Sequence, residues 1–266
     1  MNSFFLTRYS EEGLRNHFDT VTRRAVKRVL RICHRVVGIA VDGSVGRASP
    51  MPYSDIDIFV LVRGDKPPDQ FHYIDHGCYV GVGFSTLKRK KQRGIDFFWS
   101  RGGARSSRIL YDPAGILGKR IEERRLAKPS PSTVDEALFE SYSNIIEYAG
   151  KLRNGWLSSN GYLVRYAARI IAWRSEEVVM ALNNLSPISE NIIWNLVMKA
   201  KRKPAHFRSD YPVARGYETA VTRRVFESGL RLAKESLRFV KEEHAGKTRS
   251  KNFRSLLGEP LDEIGL

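Results

Sequence analysis

Between Leu14 and Ile32, the apolar residues Leu14, Phe18, Val21, Ala25, Val29 and Ile32 recur at intervals of three and four. That spacing predicts one buried stripe along a helix, with Arg and Lys on its other faces. Ser10 followed by two glutamates supplies an N-cap and an acidic first turn just ahead of it. The period then shortens. "VVGIAVDG" is a β-branched run closed by glycine, and "IDIFVLV" (Ile56–Val62) is a second apolar run closed by the turn sequence "RGDKPPD". "CYVGVGF" reads as a third strand and "RILYDP" as a short strand or sheet edge, with mixed helix and loop between them.

A change of character falls at "KPSPSTVDE" (Lys128–Glu136), where two prolines alternate with two serines. Beyond it the pattern is helical throughout. Leu138, Tyr142, Ile145, Ala149 and Leu152 form one stripe, and Tyr162 to Asn183 is a long apolar helix. Ile188 to Lys201 is shorter, and Val221, Val225, Leu230, Ala233, Leu237 and Val240 mark a last long helix. Pro187, Pro204 and Pro212 are expected to punctuate the connections. The expected architecture is a mixed α/β N-terminal domain (1–128), an all-α C-terminal helical bundle (129–245) and a loose basic tail (246–266).

Composition narrows the functional classes. Of 266 residues, 42% are apolar and 28% charged, which is globular rather than disordered, and the length suits about two domains. No run approaches the roughly 20 apolar residues that span a bilayer, so no membrane partner is expected. The first residues lack the basic-then-apolar order of a signal peptide. Cys33 and Cys78 lie in apolar segments without metal-type spacing and read as buried thiols of a reducing cytoplasm. The balance of 45 Lys+Arg over 29 Asp+Glu, a net +16, favours an anionic partner. Modest basic clusters occur at Lys88–Arg93, Lys199–Lys203 and Gly246–Arg254.

The densest chemistry lies in "VDGSVGRASPMPYSDIDIFVLV" (Val41–Val62). Strand alternation puts Asp55 and Asp57 on one face, about 7 Å apart along the strand, where they can hold a hard divalent cation. The Gly43-Ser44 turn offers backbone amides and a hydroxyl to phosphate oxygens, with Arg47 as a fixed charge nearby. Singly, each feature is commonplace: a lone Asp-x-Asp is usually solvated, and Gly-Ser is usually only a turn. Together they suit a nucleoside triphosphate with Mg²⁺, metal on the aspartates and phosphates on the turn.

"GSVGR…PYSDIDIFVLV" resembles the signature of the polymerase-β-like nucleotidyltransferases, and the arrangement is similar to the kanamycin nucleotidyltransferase branch. "RILYDPAGIL" is similar to the segment closing that family's catalytic domain, and "IIEYAGKLRN" (Ile145–Asn154) to a helix of its second domain. The resemblance covers residues 35 to 155. It implies transfer of a nucleoside monophosphate from an NTP, ATP foremost, to a hydroxyl, with release of pyrophosphate and with Mg²⁺ or Mn²⁺ as cofactor. It further implies Asp55 and Asp57 as metal ligands, Gly43, Ser44, Arg47 and Ser54 as nucleotide-binding positions, Glu147 as base, Lys151 at the nucleotide, and a homodimer. Glu147 and Lys151, four apart, also share one polar face of a helix, the spacing of an ordinary surface ion pair.

The pattern breaks at the third metal carboxylate, which the family carries on the next strand. Here that strand is "YVGVGF", and Gly81 holds the position. Asp75 or Asp96 supplying the oxygen, one-metal catalysis with Glu147 as base, and nucleotide binding without turnover all remain open. The positive charge favours a neutral or anionic small-molecule acceptor over a polycationic antibiotic. RNA is the alternative partner, with Trp156, Tyr162, Tyr166, Trp173 and Trp194 as candidate base-stacking residues if they are not core.

Overall fold

The structure, a computed structural model, describes residues 10–88 and 92–261. The centre of the Lys88–Arg93 basic cluster, the first nine residues and the last five lie outside the described residues. The chain divides into two compact units. The first runs up to 88 and adds Trp99–Ala127 and Pro187–Glu190; the second takes Gln92–Phe98, Lys128–Ser186 and the residues from Asn191 on.

In the first unit, α1 (Glu11–Ile32) begins where expected, with the Gly13 amide donating to Ser10 Oγ at 3.1 Å. Leu14, Phe18, Val21, Ala25 and Val29 pack into a core with Ile39, Val41, Ile56, Ile58, Val60, Val80 and Val82 of the sheet. Ile32, the last position of the expected stripe, is 56% exposed, because the chain leaves the helix at Cys33, which is buried instead. Both Cys33 and Cys78 are buried free thiols, and burial together with Asp75 pushes the Cys78 thiol up to about 11.

The sheet has five strands: β1 (Val36–Val41), β2 (Ile56–Val62), β3 (Phe71–Asp75), β4 (Cys78–Thr86) and β5 (Arg108–Tyr111). Their order is β3-β4-β2-β1-β5, with β2 and β4 parallel and the other pairs antiparallel. Between β1 and β2 lies a one-turn helix, α2 (Gly43–Gly46), so the expected Gly-Ser turn is the start of a helical turn. Between β4 and β5 runs α3 (Gly94–Ser106), which the two units share. After β5 comes α4 (Ile116–Leu126), whose Leu117 packs on Val37, Ala40 and Leu61, the sheet face opposite α1. Apolar cover on that face is confined to this small cluster.

β3 had no counterpart in the expected elements. "FHYID" alternates half-buried and exposed residues over only five positions, too short and too polar to stand out from a loop. It forms because it pairs with β4 from Phe71↔Val82 to Asp75↔Cys78.

The second unit is helical: α5 (Pro131–Leu157), α6 (Gly161–Leu182), α7 (Ile193–Met198), α8 (Phe207–Arg215), α9 (Thr222–His244) and α10 (Lys251–Gly258). Ser130 caps α5, accepting from the Thr133 amide at 3.2 Å, with proline at the first helical position. Leu138, Tyr142, Ile145 and Leu152 are fully buried, as their spacing predicted, with Ile171 of α6 and Leu237 of α9. α7 is shorter than the expected Ile188–Lys201. Pro212 lies inside α8 rather than in a connection, near the helix end that Gly216 closes at φ 85°.

The segment expected as a loose basic tail instead forms α10. Its Phe253 is fully buried against Phe139 and Tyr142, at ring separations of 5.6 and 5.9 Å. Phe253 and, one turn on, the buried Leu257 dock this basic stretch. Among the described residues no helix is long and apolar enough to cross a membrane.

Candidate nucleotide site

β1 delivers Asp42 and the Gly43-Ser44 turn to the same end of the sheet where β2 begins. The Asp42 amide donates to the Asp57 carbonyl at 2.9 Å, which fixes the turn against the second strand. Gly43 has φ 68°, a left-handed conformation that favours glycine. A methyl group placed on it would lie 3.7 Å from Asp57 Oδ2, so the carboxylate faces the turn directly. The Gly43 and Ser44 amides stand in the first helical turn, where no preceding turn supplies a carbonyl.

The loop between turn and strand is tied back on itself. Ser44 Oγ donates to Ser54 Oγ at 2.8 Å, the Met51 amide donates to Ser54 Oγ at 2.9 Å, and the Ser49 amide donates to the Ser44 carbonyl at 2.9 Å. Ser54 is therefore the brace that holds Ser44 in place. Arg47 reaches the Ile188 carbonyl at 3.3 Å.

Three carboxylates gather at this end of the sheet, one more than the sequence pattern indicated. Burial raises the Asp57 carboxyl above its usual range, and the charges of Asp55 and Asp42 raise it further; His72 opposes them. Asp42 is likewise raised by burial, against the Ser107 hydroxyl that donates to it and the charge of Arg124. Like charges crowded in a partly desolvated place are relieved by a cation, and their hard oxygen donors suit a divalent one. Among the described residues, however, no three His, Cys, Asp or Glu side chains are drawn together as a ready metal cage. The aspartates fit a cation that also takes oxygens from a ligand.

Gly81 lies where the third family carboxylate was expected, directly beside Asp57 in the parallel β2–β4 register. A methyl group there would sit 3.5 Å from Asp57 Oδ1 and 3.2 Å from His72 Nδ1. His72 is the cross-strand partner of Gly81 on β3, and its ring stacks on Tyr79 at 5.5 Å. An imidazole from the neighbouring strand thus occupies the space a carboxylate would have taken. Asp75 does not fill the gap, because it alternates to the α1 side and bonds Arg24 Nε at 3.0 Å. Asp96 belongs to the first turn of α3, in the second unit.

Gly43, Ser44, Arg47, Ser54, Asp55 and Asp57 therefore all lie in the first unit, whereas Glu147 and Lys151 lie on α5 in the second. Lys151 Nζ donates to Glu147 Oε1 at 2.6 Å and sits 4.2 Å from the Tyr148 ring. That hydrogen bond is the main reason the lysine is raised above its usual value. Of the candidate stacking residues, Trp156 is packed on Phe226 at 4.7 Å and Trp194 on Tyr211 at 5.5 Å, whereas Tyr162 and Tyr166 stack on each other at the surface. Sequence reasoning missed Asp42 and His72. The first is visible as an acid immediately before the glycine turn; the second depends on a strand pairing that no local pattern reveals.

Comparison with protein-family profiles and with curated proteins finds no match. Among solved structures the fold is similar to a nucleotidyltransferase-like protein from Exiguobacterium sibiricum 255-15. The two share 12% identity at a TM-score of 0.52, over 84% of this chain and 76% of that one. The likeness is one of fold, an α/β domain accompanied by a helical one.

Proposed function

We propose that this chain is a nucleotidyltransferase of the kanamycin nucleotidyltransferase-like branch. It moves a nucleoside monophosphate from an NTP, ATP foremost, to a hydroxyl of a neutral or anionic small molecule, and pyrophosphate leaves. The observation that carries the reading is the Asp57 carboxylate facing the Gly43 turn, with Asp55, the residue just before β2, close enough for its charge to raise Asp57. The turn amides and the Ser44 hydroxyl bind phosphate oxygens, and Ser54 holds that hydroxyl in position. Asp55 and Asp57 hold Mg²⁺ or Mn²⁺, which supplies charge neutralisation on the phosphates. Glu147 accepts the proton of the incoming hydroxyl, Lys151 contacts the nucleotide, and the enzyme acts as a homodimer.

A second reading has its own observation. With Gly81 and a histidine where the third carboxylate would stand, the site binds nucleotide and turns it over weakly or not at all. Calorimetry with ATP and Mg²⁺ or Mn²⁺ tests what both readings share. The Asp55→Asn/Asp57→Asn variant is expected to lose metal-dependent ATP binding by tenfold or more, about 1.4 kcal/mol; unchanged binding overturns both. Pyrophosphate release then separates them. Glu147→Gln should depress release and leave ATP affinity unchanged under the first reading, whereas under the second the wild type itself releases little or none.

A further inference from the structure

On the α1 side of the sheet, away from the face that carries Asp57 and Gly81, a groove of about 580 Å³ runs between α1 and the edge strand β3. Its walls include Arg24, Lys27, Arg28 and Arg31 from the helix and Tyr73 and Asp75 from the strand. The four cations follow the i, i+3, i+4, i+7 spacing of a single helix face. The one acid is already engaged, since Arg24 Nε donates to Asp75 Oδ2 at 3.0 Å. From Thr20 to Ile32, α1 carries five Lys and Arg and no Asp or Glu. Complementing the helix dipole accounts only for the last turn, which holds Arg31 alone. Of the groove's other cations, Arg24 is paired with Asp75 and Arg28 rests on Tyr73, so positive charge on this face exceeds the one acid that lines it.

The groove is also amphipathic. The Arg28 guanidinium sits 4.2 Å from the Tyr73 ring centroid and 5.8 Å from that of Phe71, which brings a cation and an aromatic surface together in the groove. The half-exposed Ile32, at the end of α1, gives the groove an apolar margin. We propose that this groove seats single-stranded nucleic acid, phosphates on the α1 cations and unpaired bases on Arg28 and the isoleucine margin. Guanidinium forks match phosphate oxygens, and unpaired bases stack on Arg planes and apolar surface. A duplex offers the same charge without exposed base faces, and an anionic bilayer offers charge without a strand that a groove could select. The inference does not depend on the nucleotide site or on turnover.

The test uses the whole chain and a fluorescein-labelled oligouridylate roughly 20 nucleotides long, long enough to exceed a typical single-strand site. Neutralising about four phosphates gives a slope of log affinity against log salt near −3, or about 50-fold weaker binding between roughly 50 and 200 mM salt. The variant Lys27→Gln/Arg28→Gln/Arg31→Gln keeps the Arg24–Asp75 pair and should bring the slope to about −1. A control, Arg223→Gln/Arg238→Gln/Lys251→Gln, removes the same charge from exposed positions of the second unit and should leave slope and affinity unchanged. Equal losses in the two triple variants overturn the proposal, as does absence of binding by the wild type at low salt. Binding of duplex DNA or of phosphatidylserine vesicles as tight as that of oligouridylate overturns the single-strand assignment. Ile32→Asn, at an exposed position at the end of α1, should lower the preference for single strand over duplex several-fold at an unchanged slope. An unchanged preference overturns the role of the apolar margin.

Discussion

The two units treat their carboxylates in opposite ways. In the helical unit each buried acid meets donors that satisfy it. Asp210 accepts from Arg231 Nε and Nη2 at 2.7 and 2.6 Å, and Glu177 accepts from Arg174 at 2.8 Å and Ser141 at 3.0 Å. Asp135 is bonded to His244 at 2.5 Å and to the Arg249 amide at 2.9 Å. At the sheet end, Asp42 accepts from Ser107, whereas Asp57 is raised by burial and by the charges of Asp55 and Asp42. Satisfied acids hold a fold together; crowded ones leave an interaction to be completed by something outside the chain. That difference separates a structural carboxylate from a binding one in a molecule rich in both.

The sharpest way to break the bundle's side of the comparison is through its core. Phe253→Ala removes a ring buried between Phe139 and Tyr142 and is expected to cost about 3–5 kcal/mol in urea unfolding. A change under about 1 kcal/mol, the range of surface substitutions, would mean that α10 is not docked. Next, Arg231→Ala leaves Asp210 buried and without its paired donors. We expect about 2–3 kcal/mol, less than the loss at a fully buried pair because the guanidinium is half exposed.

In the sheet unit, Gly46→Ala should cost about 1–3 kcal/mol, since the new methyl would meet the Ser106 carbonyl oxygen at 2.1 Å and the Val41 carbonyl oxygen at 2.6 Å, backbone that cannot swing aside. The turn beside it should shift, so nucleotide affinity falls in the same variant.

The smallest effect has the opposite sign. Asp57 has a folded value above its unfolded 3.8, so the native state loses stability as pH rises through that window and stays penalised above it. Asp57→Asn removes the penalty and should stabilise the apoprotein near neutral pH by a few tenths of a kcal/mol, a figure discounted for exposure. Asp135 behaves conversely. Burial alone would raise it, but the bonds from His244, Arg249 and Thr248 bring it below 3.8. Its contribution is present above the unfolded value and is lost as pH falls through the folded one. Urea midpoints measured across pH for wild type, Asp57→Asn and Asp135→Asn check both signs.

Much of this was legible in the sequence because it is local. The stripe from Leu14 to Val29, the strands Val36–Val41 and Ile56–Val62 and the α5 stripe each follow from periodicity within one element. Strand alternation led to the expectation that Asp55 and Asp57 share a face, but β2 begins at Ile56, so Asp55 lies just outside the strand. His72 was not legible, because its place beside Asp57 depends on two strand pairings, His72↔Gly81 and Gly81↔Asp57. Nor was α8, whose Pro212 reads as a breaker, or α10, where the buried Phe253 and Leu257 outweigh a basic, loop-like composition. Gly81 shows both limits at once. The missing side chain was plain in the sequence, and the ring that replaced it was not.

The central claim is that the crowded aspartates await a cation brought with a nucleotide. Free Mn²⁺ counted by electron paramagnetic resonance, in a titration of protein into equimolar Mn²⁺ and ATP, tests it most directly. The account predicts that wild type depletes free Mn²⁺ to one equivalent per site, and that Asp55→Asn/Asp57→Asn leaves it at the level set by ATP alone. Equal depletion by both proteins would contradict it.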